Sequence, residues 1–251
     1  AVAARQVKPV IMELGGKSPQ VVLPDADLDL AVNGIAAGIF PAGGQSCISG
    51  SRLLVHREVI DDFTDRLVEV VKKARVGDPE DPKTQIGPMA NRPQYERVLK
   101  CIADAESAGH RMLLDGRQRG REEGDLIGPT IFADVPNEAH LAQNEVFGPV
   151  VSTEAWETEA EVINKANATV YGLAAGVWSR DVARAMRIAD QVEAGTVYIN
   201  NYFNAATQSP VGGFKQSGYG RENGWEGMRC YLQTRSVWLS TNPHQPDPFA
   251  D

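Results

Sequence analysis

Apolar positions fall in short blocks along this chain, with two spacings that alternate. "PVIMEL" (9 to 14) and "PQVVLP" (19 to 24) are short, apolar and β-branched, so each predicts a buried strand. Leu28, Ala31, Val32, Ile35, Ala36 and Ile39 then recur at helical spacing behind Asp25 and Asp27, both capping types. A loop (43 to 50) leads into the strand "SRLLVH" (51 to 56). Val59, Ile60, Phe63, Leu67, Val70 and Val71 predict an amphipathic helix, stopped by "GDPEDP". Tyr95, Val98, Leu99 and Ile102 predict another, ended near Gly109, and "RMLLDG" reads as a strand with a turn. Beyond a polar loop (116 to 125) come the strands "PTIFADV" and "VVSTEAW", a helix near 157 to 167, and "GLAAGVWS". Val182, Met186, Ala189 and Val192 mark a helix before the strand "TVYIN" (196 to 200). Such alternation predicts an α/β fold with an open, largely parallel sheet flanked by helices. "YLQTRSVWLS" (231 to 240) reads as a late strand outside this pattern, and "TNPHQPDPFAD" as a mobile tail.

Composition narrows the classes. Hydrophobic residues at 42% and charged residues at 23% suit a globular chain, not a disordered one. A net charge of -8 argues against a nucleic-acid partner. No run approaches the roughly 18 apolar residues of a membrane span, so no membrane partner is expected. Cys47, Cys101 and Cys230 are too scattered for a disulfide framework, which suits a reducing, cytoplasmic setting. With neither CxxC nor a His/Cys cluster, no metal is expected. Cys101 lies in a helical pattern and Cys230 before a strand, so both are expected to be shielded. The opening "AVAARQVKPVIMEL" reads as a helix end running into a strand, hence as a piece entered midway.

Two stretches carry candidate chemistry. In "GGQSCISGSR" (43 to 52), Cys47 follows glycines that let a ligand approach the backbone, and an inward Arg52 would lower a thiol pKa. A small core residue and a nucleophile are about equally good readings of Cys47 from these residues alone. In "ELGGKSP" (13 to 19), Glu13 ends an apolar strand, where α/β sheets place ligands. It reads equally as a general base or as an acid facing solvent.

Together the stretches are specific. "ELGGKSP" resembles the glutamate signature of the aldehyde dehydrogenase superfamily, and "GGQSC" its cysteine signature, at a separation that suits the family. "NEVFGPV" (144 to 150), "YGLAAGVWS" (171 to 179), "GTVYIN" (195 to 200), "PVGGFKQSGYGRENG" (210 to 224) and "YLQTRSVWL" (231 to 239) follow in family order.

The resemblance implies oxidation of an aldehyde to a carboxylic acid with NAD or NADP. Cys47 would attack the carbonyl, a thiohemiacetal would become a thioester, and Glu13 would activate the water that hydrolyses it. The Cys47 N–H would be one oxyanion donor; the family's second is an asparagine upstream of the glutamate motif. Glu145 would meet the nicotinamide ribose and Phe147 the nicotinamide, with Leu14 and Gln94 also at the cofactor. Ser46, Ile48, Tyr202, Phe203 and Val211 would line a substrate tunnel suited to a neutral, modest-sized aldehyde. Lys17, Lys215 and Glu222 read as ion pairs or caps.

By the same resemblance, residues 1–13 would end a cofactor domain, 14–227 form the catalytic domain, 228–240 an oligomerisation strand and 241–251 a flexible tail. A homo-oligomer, dimer or tetramer, is implied for the parent. No phosphate-cradling turn precedes Glu13, so cofactor binding by this chain alone is not expected. The alternatives are a CoA-acylating relative and an inactive fragment serving as an assembly domain.

Overall fold

A computed structural model describes residues 1–119 and 124–249. The chain opens with α1 (Val2–Arg5), β1 (Met12–Glu13), β2 (Pro19–Val22), α2 (Leu28–Ala37), β3 (Arg52–His56) and α3 (Ile60–Val71). It continues with α4 (Arg92–Ser107), β4 (Arg111–Leu114), a 3-10 turn (Gly116–Arg119), β5 (Thr130–Ala133), α5 (His140–Gln143) and β6 (Val150–Trp156). It ends with α6 (Glu159–Asn167), β7 (Tyr171–Gly172), β8 (Ala174–Trp178), α7 (Val182–Ala189), β9 (Thr196–Ile199), β10 (Phe214–Lys215), β11 (Gly218–Tyr219) and α8 (Gly224–Arg229).

Seven strands form one sheet in the order β4-β5-β6-β3-β2-β8-β9, parallel throughout except for β4 against β5. This is the expected open, largely parallel sheet. Every residue of β2, β3 and β8 is buried, as strands covered on both faces must be. Neighbours point to opposite faces. Val22 joins Ile35, Phe63 and Leu67 under α2 and α3, while Val21 joins Trp156, Val162 and Ile188 under α6 and α7. A third cluster, with Val98, Ile102, Phe132 and Val146, packs α4 and α5 beside the sheet.

Caps fix where the helices begin. Asp27 accepts from Leu30 N to start α2. Asp25 is not a helix cap; it receives Ser179 Oγ and Asp181 N instead, tying the β2 exit to the β8 exit.

Three expected elements differ. The strand foreseen over 9 to 14 shrinks to β1, which pairs only with β11 (Met12↔Tyr219, Glu13↔Gly218). A two-residue ribbon covers little side chain, and Leu14 stays 44% exposed. The late strand foreseen at 231 to 240 does not form in the single chain: those residues are exposed and irregular, with Trp238 at 94%. β-branched and aromatic content favours a strand, but a strand also needs a partner edge for its N–H and C=O groups. The expected polar loop at 116 to 125 opens with the 3-10 turn, and residues 120–123 lie outside the described ones.

Candidate active site

Cys47 is presented by a tight turn at the amino end of β3. Gly43 and Gly44 take positive φ, 60° and 67°, which reverse the chain after α2. A Cβ on Gly44 would lie 2.0 Å from the Gly148 carbonyl oxygen, so the cysteine loop and the "NEVFGPV" loop touch backbone to backbone. Ser49 N–H then donates to the Ser46 carbonyl at 3.0 Å, which makes Cys47 and Ile48 the central residues of a turn. Beneath it, the Tyr202 hydroxyl donates to the Ile48 carbonyl at 2.6 Å.

The glycines of "ELGGKSP" are required by contact on both sides. A Cβ on Gly15 would come 2.3 Å from Glu145 Oε2, and one on Gly16 would come 2.4 Å from the Cys47 carbonyl oxygen. Gly16 N–H donates to Glu145 Oε1 at 3.1 Å. Ser217 Oγ donates to the Gly15 carbonyl at 2.6 Å, and Leu14 N–H to the Ser217 carbonyl. Glu13 therefore leads straight into the segment that joins Cys47 to Glu145.

Phe147 has a φ of 56°, an uncommon value for an aromatic residue. Two side chains of α4 hold the loop there. Arg97 Nη2 donates to the Glu145 carbonyl at 2.7 Å, and Gln94 Nε2 to the Val146 and Phe147 carbonyls at 3.0 and 2.9 Å. Three consecutive carbonyls are thus tethered. Gln94, expected at the cofactor, spends its amide N–H groups on this loop.

Burial pushes the Cys47 thiol above its ordinary pKa; Glu145 and Glu13 add to that, and the Ile48 and Cys47 N–H groups oppose it. Arg52, which would lower the thiol pKa if it faced it, points away. It is buried, 2% exposed, and donates to Asn137 Oδ1 and the Lys165 and Ala166 carbonyls. Glu13 is exposed, yet its carboxyl sits above the usual range: partial desolvation leads, Glu222 adds, and Arg221 opposes. Burial also raises Glu145, against the Gly16 N–H, Arg97 and Lys17.

Of the expected tunnel residues, Ser46 and Ile48 flank Cys47 and are half-buried, Phe203 is exposed at the surface, and Val211 is half-buried and bridged to Glu222. Tyr202 is 8% exposed and sits under the cysteine turn, so it supports the loop and is not an open wall. Lys215 is structural, as foreseen: Nζ meets the Asn167 carbonyl and Glu193. Lys17 is neither ion pair nor cap. It is 2% exposed, its Nζ has no hydrogen-bond partner, and burial with Arg52 nearby lowers its pKa to about 7. Cys230, expected to be shielded, is exposed.

Sequence reasoning missed Glu222 as a neighbour of Glu13; the pairing of β1 with β11, Glu13 opposite Gly218, brings that segment there. An open hollow of about 870 Å³ lies against Glu222, Arg221 and Trp225 but is lined by neither Cys47 nor Glu13. Among the described residues no His, Cys, Asp and Glu group could hold a metal ion. No described helix is long and apolar enough to cross a membrane.

Fold and site together define an α/β protein built around a cysteine flanked by two carboxylates. The family model described as "Aldehyde dehydrogenase family" matches residues 1–237, and the chain belongs to that family. Betaine aldehyde dehydrogenase of Sinorhizobium fredii is 44% identical over 241 residues, 95% of this chain and 50% of that protein. The enzyme of the same name from Brucella anthropi is 43% identical over 242 residues, 95% of this chain and 50% of its own length. The chain thus spans about half the length of the curated relatives it matches. Among solved structures, betaine aldehyde dehydrogenase of Staphylococcus aureus in complex with NAD+ superposes with a TM-score of 0.95 at 36% identity, covering 99% of this chain and 50% of that one. An NAD-dependent aldehyde dehydrogenase of Sinorhizobium meliloti gives 0.95 at 41% identity, covering 99% and 49%.

Proposed function

We propose that this chain holds the catalytic part, residues 14–227 with Glu13 at its edge, of an enzyme that oxidises a small neutral aldehyde to a carboxylic acid with NAD or NADP. The observation that carries the reading is the Gly15–Gly16 contact: one dipeptide, next to Glu13, touches both the Cys47 carbonyl and the Glu145 carboxylate. A nucleophile, a base and a cofactor-facing acid are thereby fixed to one another.

The Cys47 thiol favours its protonated form, so attack draws on the thiolate fraction that the Cys47 and Ile48 N–H groups support, its proton passing to bulk water, while Glu13 is kept for the later step on water. As Cys47 Sγ bonds the aldehyde carbon, the carbonyl oxygen gains charge. The Cys47 N–H favours the thiolate in the resting site and has no described backbone acceptor, so it can turn to that oxyanion once the sulfur has bonded. Glu145 fits a dinucleotide: Oε1 is held by Gly16, and Oε2 has no described hydrogen bond and can accept a ribose hydroxyl. A nicotinamide cofactor held by Glu145 would supply the acceptor for the hydride that leaves the thiohemiacetal carbon. Glu13 then takes a proton from water; the new C–O bond forms as the C–S bond breaks, returning the thiol and releasing the carboxylate. A CoA-acylating relative has no need of this base.

Betaine aldehyde, named for the relatives above 40% identity, is the second reading of the substrate. It is a quaternary cation, which aromatic faces recognise. Here Tyr202 is committed to the Ile48 carbonyl and Phe203 is the aromatic left on that loop. The test is NAD(P)H formation by the full-length parent with a panel of neutral aldehydes and betaine aldehyde. Higher kcat/KM for neutral aldehydes supports the first reading; preference for betaine aldehyde replaces it with the second; no turnover with any aldehyde, or turnover intact in Cys47→Ser, overturns both.

A further inference from the structure

We infer that Tyr202 is a positioning residue for Cys47: its buried hydroxyl, bonded to the Ile48 carbonyl, locks the turn that presents the thiol. The inference rests on Cys47 being the nucleophile.

The turn itself is thinly held. One backbone bond, Ser49 N–H to the Ser46 carbonyl, closes it, and the Cys47 and Ile48 N–H groups have no described backbone acceptor. Both N–H groups instead favour the thiolate of Cys47. Their aim depends on the orientation of the two central peptides. The Tyr202 hydroxyl fixes the second of these at 2.6 Å. Without it, the Ile48 carbonyl would lose its described partner in a partly buried place and would rotate to find another.

Tyr202 is placed as if for this contact. Glycines make room for its ring: a Cβ on Gly38 would come 2.5 Å from Tyr202 Cδ1, and one on Gly176 would come 3.1 Å from Cδ2. Tyr198 packs edge-on at 4.8 Å between centroids. Upstream, Asn200 adopts a φ of 52° and bonds both Ser179 N and the Ser179 carbonyl, which fixes the exit from β9. The ring therefore joins the β8–β9 edge to the cysteine turn across 154 residues of sequence. Burial raises the phenol pKa well above its ordinary value, so it remains a donor across the range in which the thiol titrates.

The test follows iodoacetamide alkylation of Cys47 in the full chain from pH 6 to 10, resolved by peptide mass spectrometry so that Cys101 and Cys230 report separately. Glu145 and Glu13 also face the thiol and stay unchanged in every variant. Tyr202→Phe removes only the hydroxyl. It is expected to slow Cys47 alkylation at pH 8 by about fivefold, the weight of one net hydrogen bond, and to move the midpoint upward. Tyr198→Phe, the control, should leave the profile in place. Gly38→Ala, which pushes on the ring without touching the hydroxyl, should move it in the same direction as Tyr202→Phe. A folded Tyr202→Phe with the parent's pH profile overturns the inference. If that variant does not fold, an unchanged profile in Gly38→Ala does so. Alkylation needs no cofactor or aldehyde, so this result is independent of whether the dehydrogenase reading stands.

Discussion

Gly16 and Glu145 are joined by one hydrogen bond, amide N to Oε1 at 3.1 Å, although 129 residues separate them in sequence. The same glycine faces the Cys47 carbonyl, where an added Cβ would stand at 2.4 Å. Gly16→Ala must therefore push the cysteine turn and the Glu145 loop apart. The expected loss of stability is about 1–3 kcal/mol, typical of a methyl forced into a packed site. Denaturant unfolding measures it; an unshifted midpoint would show that the turn yields freely.

Glu13→Gln separates the two halves of hydrolysis. With an activated ester such as nitrophenyl acetate, the variant should retain the rapid first release of nitrophenol and lose most of the steady rate that follows, because acylation needs Cys47 and deacylation needs the base. Cys47→Ser should abolish both phases. Equal slowing of both phases in Glu13→Gln would mean that Glu13 serves the thiol as well as the water.

Lys17 makes stability depend on pH. Unfolded, its amine holds a proton up to about 10.5; folded, it gives that proton up near 7. Between those values the unfolded state binds more protons, so stability rises with pH, by at most about 1.4 kcal/mol per unit. Below about pH 7 both states carry the proton and the dependence from this group ends. Lys17→Met keeps the volume and removes the charge, and unfolding curves at pH 6, 8 and 9.5 should show a flatter profile than the parent chain. Parallel profiles would place the amine's proton elsewhere.

The exposed segment 231–240 lacks a partner edge within the chain, and we propose that another subunit supplies one. Deleting residues 231–251 should shift the mass measured by light scattering toward the monomer and leave the thermal midpoint of the sheet within a few degrees. An unchanged mass would remove this segment from the interface.

The sheet was legible because β2, β3 and β8 are short, mostly apolar runs between turn residues, a pattern that both buried faces impose. The closeness of the Cys47 and Glu13 segments was legible because glycines mark where backbones meet, and Gly15, Gly16 and Gly44 do sit at such contacts. Segments 9–14 and 231–240 misled because strand formation depends on an available edge as well as on residue type. The directions of Arg52, Tyr202 and Lys17 were hidden for another reason. Arg52 answers to carbonyls of α6 more than a hundred residues away, Tyr202 to a carbonyl 154 residues earlier, and Lys17 to no described hydrogen-bonding partner at all. Local pattern holds no record of such contacts.

The bond from Ser217 Oγ to the Gly15 carbonyl spans 202 residues, and that distance has a meaning during synthesis. A ribosome adding about 5–20 residues per second makes Cys47 roughly ten to thirty seconds before Ser217. The Glu145 loop is made only in the second half of that interval and the Tyr202 hydroxyl near its end, so for most of it the thiol meets oxidants as an unfolded cysteine does. Its shelter comes late in translation, so premature termination before position 202 yields chains that carry the sulfur without the hydroxyl that encloses it.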